Sequence, residues 1–155
     1  MAHDQTFISK QGLDKLKKEL DGLKTVKRKD IAWRIQEAKE LGDLSENAEY
    51  AEAKNEQAFI EGRIIEIENI IKNAVIIDDN KRISDIVRIG STVKAKEQDK
   101  IKIFNIVGSN EADPDTGKIS NESPLGKAFL GKKAGDIVEI NVPKGADRYE
   151  IISIK

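Results

Sequence analysis

Apolar residues recur with a helical period along the first half of the chain and with a strand period along the second. Leu13, Leu16, Leu20 and Leu23 form one stripe, which resumes after a shift through Val26 at Ile31, Ile35 and Ala38. A second stripe runs through Ile60, Ile64, Ile67, Ile71 and Ala74. Stripes built from alternating steps of three and four are the narrow seams that one helix presents to a single partner helix. No proline occurs before Pro114. Ser9 suits the N-cap of the first helix, with Ile8 and Leu13 spaced as a hydrophobic staple. Gly42 suits the position just past its C-terminus. Two seams joined by a short break predict an antiparallel helical hairpin, because neither helix can bury its stripe alone. From Lys10 to Leu41 the arm is about 45–50 Å long at ~1.5 Å per residue.

The stretches "AVIID", "TVKAKE", "KIKIFNIV", "DIVEINV" and "RYEIISIK" are β-branched and partly alternating, and glycines and polar clusters separate them. "SPLGKAFLGKKAGD" reads as a loop with one short helix. The expected fold class is α+β, a long antiparallel coiled-coil hairpin over residues 1–78 and a small globular domain over 79–155.

Composition narrows the chemistry. Of 155 residues, 35% are charged, and there are only four Phe, two Tyr and one Trp, as suits long solvated helices. A net charge of −1 gives no general attraction to nucleic acid or membranes. The distribution is less even: residues 1–36 hold nine basic and five acidic side chains, residues 37–61 two basic and eight acidic. With no cysteine, disulfides, thiolate metal sites and a cysteine nucleophile are excluded. The one histidine, His3, lies at the extreme N-terminus, so histidine acid–base catalysis is not expected. The first residues lack an apolar signal-like region, and no apolar run approaches ~18 residues, so a soluble cytoplasmic protein is expected.

The candidate chemistry sits at the break between the helices. Acids recur at Glu37, Glu40, Asp43, Glu46, Glu49 and Glu52. Asp43 and Glu46 have the spacing of a capping box for the second helix, and that structural role needs no function. It leaves Glu37 and Glu40 unexplained, since acids in the last turn of a helix oppose its dipole. Crowded like charges at an exposed tip cost stability. Two carboxylates could offer one or two oxygen ligands to a hard cation such as Mg²⁺, too few for a dedicated site. The tip would then be half of a site completed by a partner.

The string "GDLSENAEYAEAKNEQAFIEGRIIEIENIIKNAVIID" resembles the tip and second helix of the Gre transcript-cleavage factors. "FISKQGLDKLKKELDGLK" and "SPLGKAFLGKKAGDIVEI" are similar to the same family, in the same order, so the resemblance spans nearly the whole chain. It implies an N-terminal antiparallel coiled coil and a C-terminal FKBP-like domain. It also implies a bacterial transcription elongation factor whose coiled coil enters the secondary channel of RNA polymerase. There the tip acids help hold the second Mg²⁺, and the polymerase's own active site cuts the backtracked RNA 3′ end. Asp43 and Glu46 match the two essential acids of that family. On this reading the protein is not itself an enzyme, works as a monomer, and binds no metal when free.

Other residues carry weaker readings. Leu44 either staples the turn or touches the channel, and Ser45 caps or contacts. Asn47 and Tyr50 are read as support for the tip, with polymerase or RNA contact as the alternative. Lys39 and Lys54 either pair with neighbouring acids or contact the nascent RNA 3′ segment. Lys24, Lys27, Arg28, Lys29 and Arg34 form either a solvated face or a partner-facing surface. Trp33 lies about 200° from the Ile31–Ile35 stripe, exposed or at a contact. Glu111, Asp113, Ser123 and Pro124 are candidates for docking on the channel rim. Two other functions remain open. One is an inhibitory channel binder that does not stimulate cleavage. The other is a chaperone or prolyl isomerase, which would need an aromatic-lined pocket. Phe104, Phe129 and Tyr149 are available for one but can be accounted for as core.

Overall fold

The computed structural model describes residues 5–43, 47–77 and 85–155. Strand β1 (Thr6–Ile8) leads into helix α1 (Lys10–Gly22), a π-helical segment (Leu23–Lys27) and α2 (Arg28–Glu40). Helix α3 (Ala48–Lys72) runs into β2 (Ala74–Ile76). Then come β3 (Thr92–Glu97), β4 (Lys100–Val107), β5 (Lys118–Ser120), α4 (Pro124–Phe129), β6 (Ile137–Val142) and β7 (Gly145–Ile154). The architecture is the α+β arrangement that the two periodicities predict.

Contacts divide the described residues into two compact units. One is Leu13–Asn73; the other joins the residues before Leu13 to those from Ala74 onward. This differs from a division at residue 78, for a physical reason. Strand β1 pairs in parallel with β2, Phe7 opposite Val75, so both chain segments belong to the second unit. Gly108 fixes β1 further: a Cβ there would lie 1.6 Å from the Phe7 carbonyl oxygen, so the backbone of β1 passes where only glycine fits. Ala74, expected as the last position of the second helical stripe, instead opens β2, because α3 ends at Lys72.

In the helical unit, Ile31 and Ile35 pack with Ala53, Ile60 and Ile64, flanked by Leu20, Leu23 and Tyr50. The shift through Val26 has a local cause. Leu23 and Ile31 are eight residues apart, one more than a heptad, and the π turn at Leu23–Lys27 absorbs the extra residue. Both seams therefore stay on the face toward α3, and Val26 is left exposed.

The globular unit is a five-stranded sheet of order β5-β4-β3-β7-β6, antiparallel except for the β4–β5 pair. One face carries Val93, Ala95, Phe104, Ile106, Val138, Tyr149 and Ile151, packed on Val87 and on Phe129 of α4. Phe104, Phe129 and Tyr149 contact one another, with ring centroids 5.5–5.9 Å apart. They are core, as their number and spacing allow.

Candidate functional site

The tip is built from the two helix ends that meet there. Helix α2 closes at Leu41, whose N–H reaches the Ala38 carbonyl at 3.2 Å, and Gly42 follows at φ +127°. That left-handed turn needs glycine, as expected just past a helix C-terminus. Asp43 comes next and is exposed. Leu44, Ser45 and Glu46 lie outside the described residues.

Helix α3 begins at Ala48, and its N-cap is Asn47. The Asn47 Oδ1 accepts the Tyr50 N–H at 3.0 Å, and Nδ2 donates to the Ala38 carbonyl at 2.7 Å. One amide thus closes α3 and ties it to the last turn of α2, which is the support read for Asn47. Tyr50 packs against the Ile31–Ile35 cluster across the hairpin. The capping box proposed for Asp43 and Glu46 is corrected by this geometry. Asp43 sits four residues before the true cap, too early to serve N2 or N3 of a helix that starts at Ala48. Glu37, Glu40, Asp43, Glu49 and Glu52 are all exposed.

Basic residues flank the hairpin in a definite pattern. Arg28 makes a two-pronged pair with Glu61, at 2.8 and 2.7 Å. Lys24 pairs with Glu68, Arg34 with Glu56, and Arg63 with Glu19 at 2.7 Å. The hydrogen bond from Arg28 holds the Glu61 carboxyl below its ordinary range. Three of the five basic residues between Lys24 and Arg34 thus pair with acids of the facing helix while remaining on the solvated surface. Near the tip, Lys54 donates to Gln57 at 2.8 Å, and Lys39 is exposed. Trp33 is 63% exposed on the outer side of α2.

The rim candidates divide by role. Both oxygens of Glu111 bind Ser9, one through the backbone N–H at 2.8 Å and the other through the hydroxyl. The Ser9 hydroxyl oxygen in turn accepts the Gly12 N–H at 2.9 Å. This is a capping box whose acid comes from a distant turn, because the box position on α1 itself is Gly12. Asp113 exchanges backbone hydrogen bonds with Lys118 at 2.9 and 3.0 Å, closing the turn at Pro114–Thr116. Ser123 caps α4 by accepting the Gly126 N–H at 3.0 Å, and Pro124 occupies the first helical position. Gly126 is obligatory, since a Cβ would lie 2.0 Å from the Ser120 carbonyl.

Pro124 and Ser123 also line an open cleft of about 430 Å³ with Ala112, Pro114, Ile119, Leu125, Ile140, Val142 and Pro143. All three prolines of the chain meet there. Sequence reasoning named Ser123 and Pro124 but missed Ile119, Ile140 and Pro143, which come from separate strands and loops. The shared signal was the clustering of prolines in the second half. The lining is aliphatic and proline-rich, with the aromatic residues held in the core behind it.

With this geometry described, comparison with known proteins defines the class. A family model described as "Transcription elongation factor, N-terminal" matches residues 6–76. Another, "Transcription elongation factor, GreA/GreB, C-term", matches residues 82–155. The chain therefore belongs to the GreA/GreB family of transcription elongation factors. It is 57% identical over 146 residues to transcription elongation factor GreA of Clostridium botulinum (strain Hall), covering 93% of this chain and 91% of that one. It is 55% identical over 150 residues to GreA of Clostridium acetobutylicum, covering 96% and 95%. Among solved structures it is similar to GreA factor homolog 1 of Thermus thermophilus, with 29% identity, 97% and 99% coverage and a TM-score of 0.45. Within the family the chain is of the GreA type, a transcription factor rather than an enzyme in its own right.

Proposed function

We propose that this chain inserts its helical hairpin into the secondary channel of bacterial RNA polymerase and stimulates cleavage of the backtracked RNA 3′ end. The polymerase's own active site performs the cut. Asp43 and Glu46 are the acids delivered, and the cleft at Ser123 and Pro124 seats the globular unit on the channel rim. Lys39 and Lys54 flank the tip where the RNA 3′ segment would lie. The protein works in the cytoplasm, where the polymerase is.

The observation that carries this reading is the Asn47 cap. Asn47, not Asp43, caps α3, and Asp43 is exposed four residues before that cap. Among the described residues no group of three or more His, Asp or Glu gathers to hold a metal. The donor set at the tip is carboxylate oxygen, which fits Mg²⁺, but two side chains leave most of six positions to others. Asp43 and Glu46 would therefore hold an ion shared with the polymerase. When bound there, that ion activates water and offsets the developing charge on the phosphate. Gly42 sets the turn that leads into Asp43, and Asn47 caps the helix that follows the tip.

The test is RNA cleavage in a stalled, backtracked polymerase complex. Wild type should release short 3′ fragments. Asp43→Ala and Glu46→Ala should bind as tightly as wild type and lose cleavage by about 100-fold or more, the scale set by removing one charge-stabilising group. Variants that cleave like wild type would refute the role of the acids. Wild type that binds without cleavage would favour an inhibitory channel binder.

A further inference from the structure

The seam between the two arms of the hairpin thins toward the tip. Farther back it is closed by Ile31, Ile35, Ile60 and Ile64, but at the tip end by Ala38 and Ala53. Alanine buries less apolar surface than isoleucine, so these contacts hold the helices together less. Charge works against closure at the same place. Glu37, Glu40, Asp43, Glu49 and Glu52 are exposed there, interspersed only with the basic side chains Lys39 and Lys54. Like charges crowded on two facing helix ends push them apart.

The amide of Asn47 crosses this weak end. Its Nδ2 donates to the Ala38 carbonyl at 2.7 Å, the short limit for such bonds, while its Oδ1 accepts the Tyr50 N–H at 3.0 Å. The Ala38 carbonyl also accepts the Leu41 N–H at 3.2 Å, so the amide lands on the turn from which Gly42 and Asp43 leave. Capping alone does not call for asparagine. Asp, Ser and Thr also cap helices well. Asp brings no donor, and Ser and Thr carry a single hydroxyl on a shorter side chain. Among these four, only asparagine offers an acceptor and a separate donor together.

We infer that Asn47 is a positioning residue for cleavage: its Nδ2–H, bound to Ala38, holds the last turn of α2 against the start of α3 and so fixes where Asp43 is presented to the ion shared with the polymerase. The inference rests on the cleavage reading above. It gives the two ends of one amide different tasks. The oxygen starts α3, and the nitrogen keeps the tip closed. Misplacing a reacting group by about 1 Å can cost roughly 100-fold in rate, so loss of the nitrogen is felt at Asp43 even where the helix and polymerase binding survive.

The experiment compares wild type, Asn47→Ser, Asn47→Asp and Asn47→Ala in the backtracked complex. Cleavage is measured at saturating factor and across a Mg²⁺ titration, beside the urea midpoint of each free variant. Asn47→Ser and Asn47→Asp keep a cap, so their midpoints should lie above that of Asn47→Ala. All three lack the strap and should cleave about 10-fold or more slowly than wild type at saturation, with the half-maximal Mg²⁺ concentration raised. Asn47→Ser adds no charge, which separates loss of the strap from the extra acid of Asn47→Asp. A residue that only caps would give cleavage that ranks with the midpoint, or a defect that disappears at saturating factor. Either result, or wild-type cleavage by Asn47→Ser, overturns the inference and leaves the cleavage reading standing. A wild type that binds without stimulating cleavage removes that reading, and the inference with it.

Discussion

Asn47 joins two helix ends through one amide. Its oxygen satisfies an N–H of the first turn of α3, and its nitrogen satisfies a carbonyl in the last turn of α2. Asn47→Ala leaves both partners without the amide and should destabilise the hairpin by about 1–2 kcal/mol, read from the urea midpoint. Asn47→Asp keeps the acceptor and loses the donor, so it should fall between the two. Equal stability of all three would show that the tip closes by other means. The cap was hard to see in the sequence because Asp43 and Glu46 imitate a capping box, and only the observed start at Ala48 breaks the tie. Gly42, by contrast, was legible, since a positive φ after a helix has few alternatives to glycine.

At the scale of elements, the strands announced themselves by period two, and β3, β4, β6 and β7 fall where the alternation lies. The three-residue strands β1 and β5 are too short for a period. Their places are set by distant partners, Val75 and Ile106, and by Gly108, none of which is a local signal. The shift through Val26 was visible as a break in the stripe, but its resolution as a π turn was not. Deleting Thr25 should restore a seven-residue step between Leu23 and Ile31 and convert the π turn to α-helix. The hairpin should then melt at the same temperature or higher, with undiminished helical circular dichroism. A fall of several degrees would mean that the π turn holds contacts beyond the register it corrects.

Across the whole molecule, the excess of basic residues before Gln36 and of acids after Glu37 becomes complementary once the chain doubles back. Exposed pairs such as Arg28–Glu61 contribute little each and are screened by salt. Glu97 is more enclosed: its hydrogen bond from Lys102 holds the carboxyl below its ordinary range, while burial pushes the Tyr149 hydroxyl up. A depressed carboxyl gives stability that is present above about pH 4.3 and lost as pH falls below it. A raised phenol gives stability that is present below about pH 10 and lost as pH rises through its folded value. Urea midpoints should therefore form a plateau between about pH 5 and 10 with a fall on each side. Glu97→Gln should flatten the acid fall more than Glu61→Gln does, and the reverse order would place acid sensitivity in the hairpin.

The carboxylate that caps Ser9 belongs to Glu111, 102 positions later in the chain. A ribosome making this protein releases α1 long before the residue that completes its first turn exists. Until then the Ser9 hydroxyl closes that turn alone, through the Gly12 N–H, and the two bonds of the carboxylate are missing. An element made early is thus finished late, and a chain truncated before Glu111 would betray itself by a more weakly closed first turn of α1.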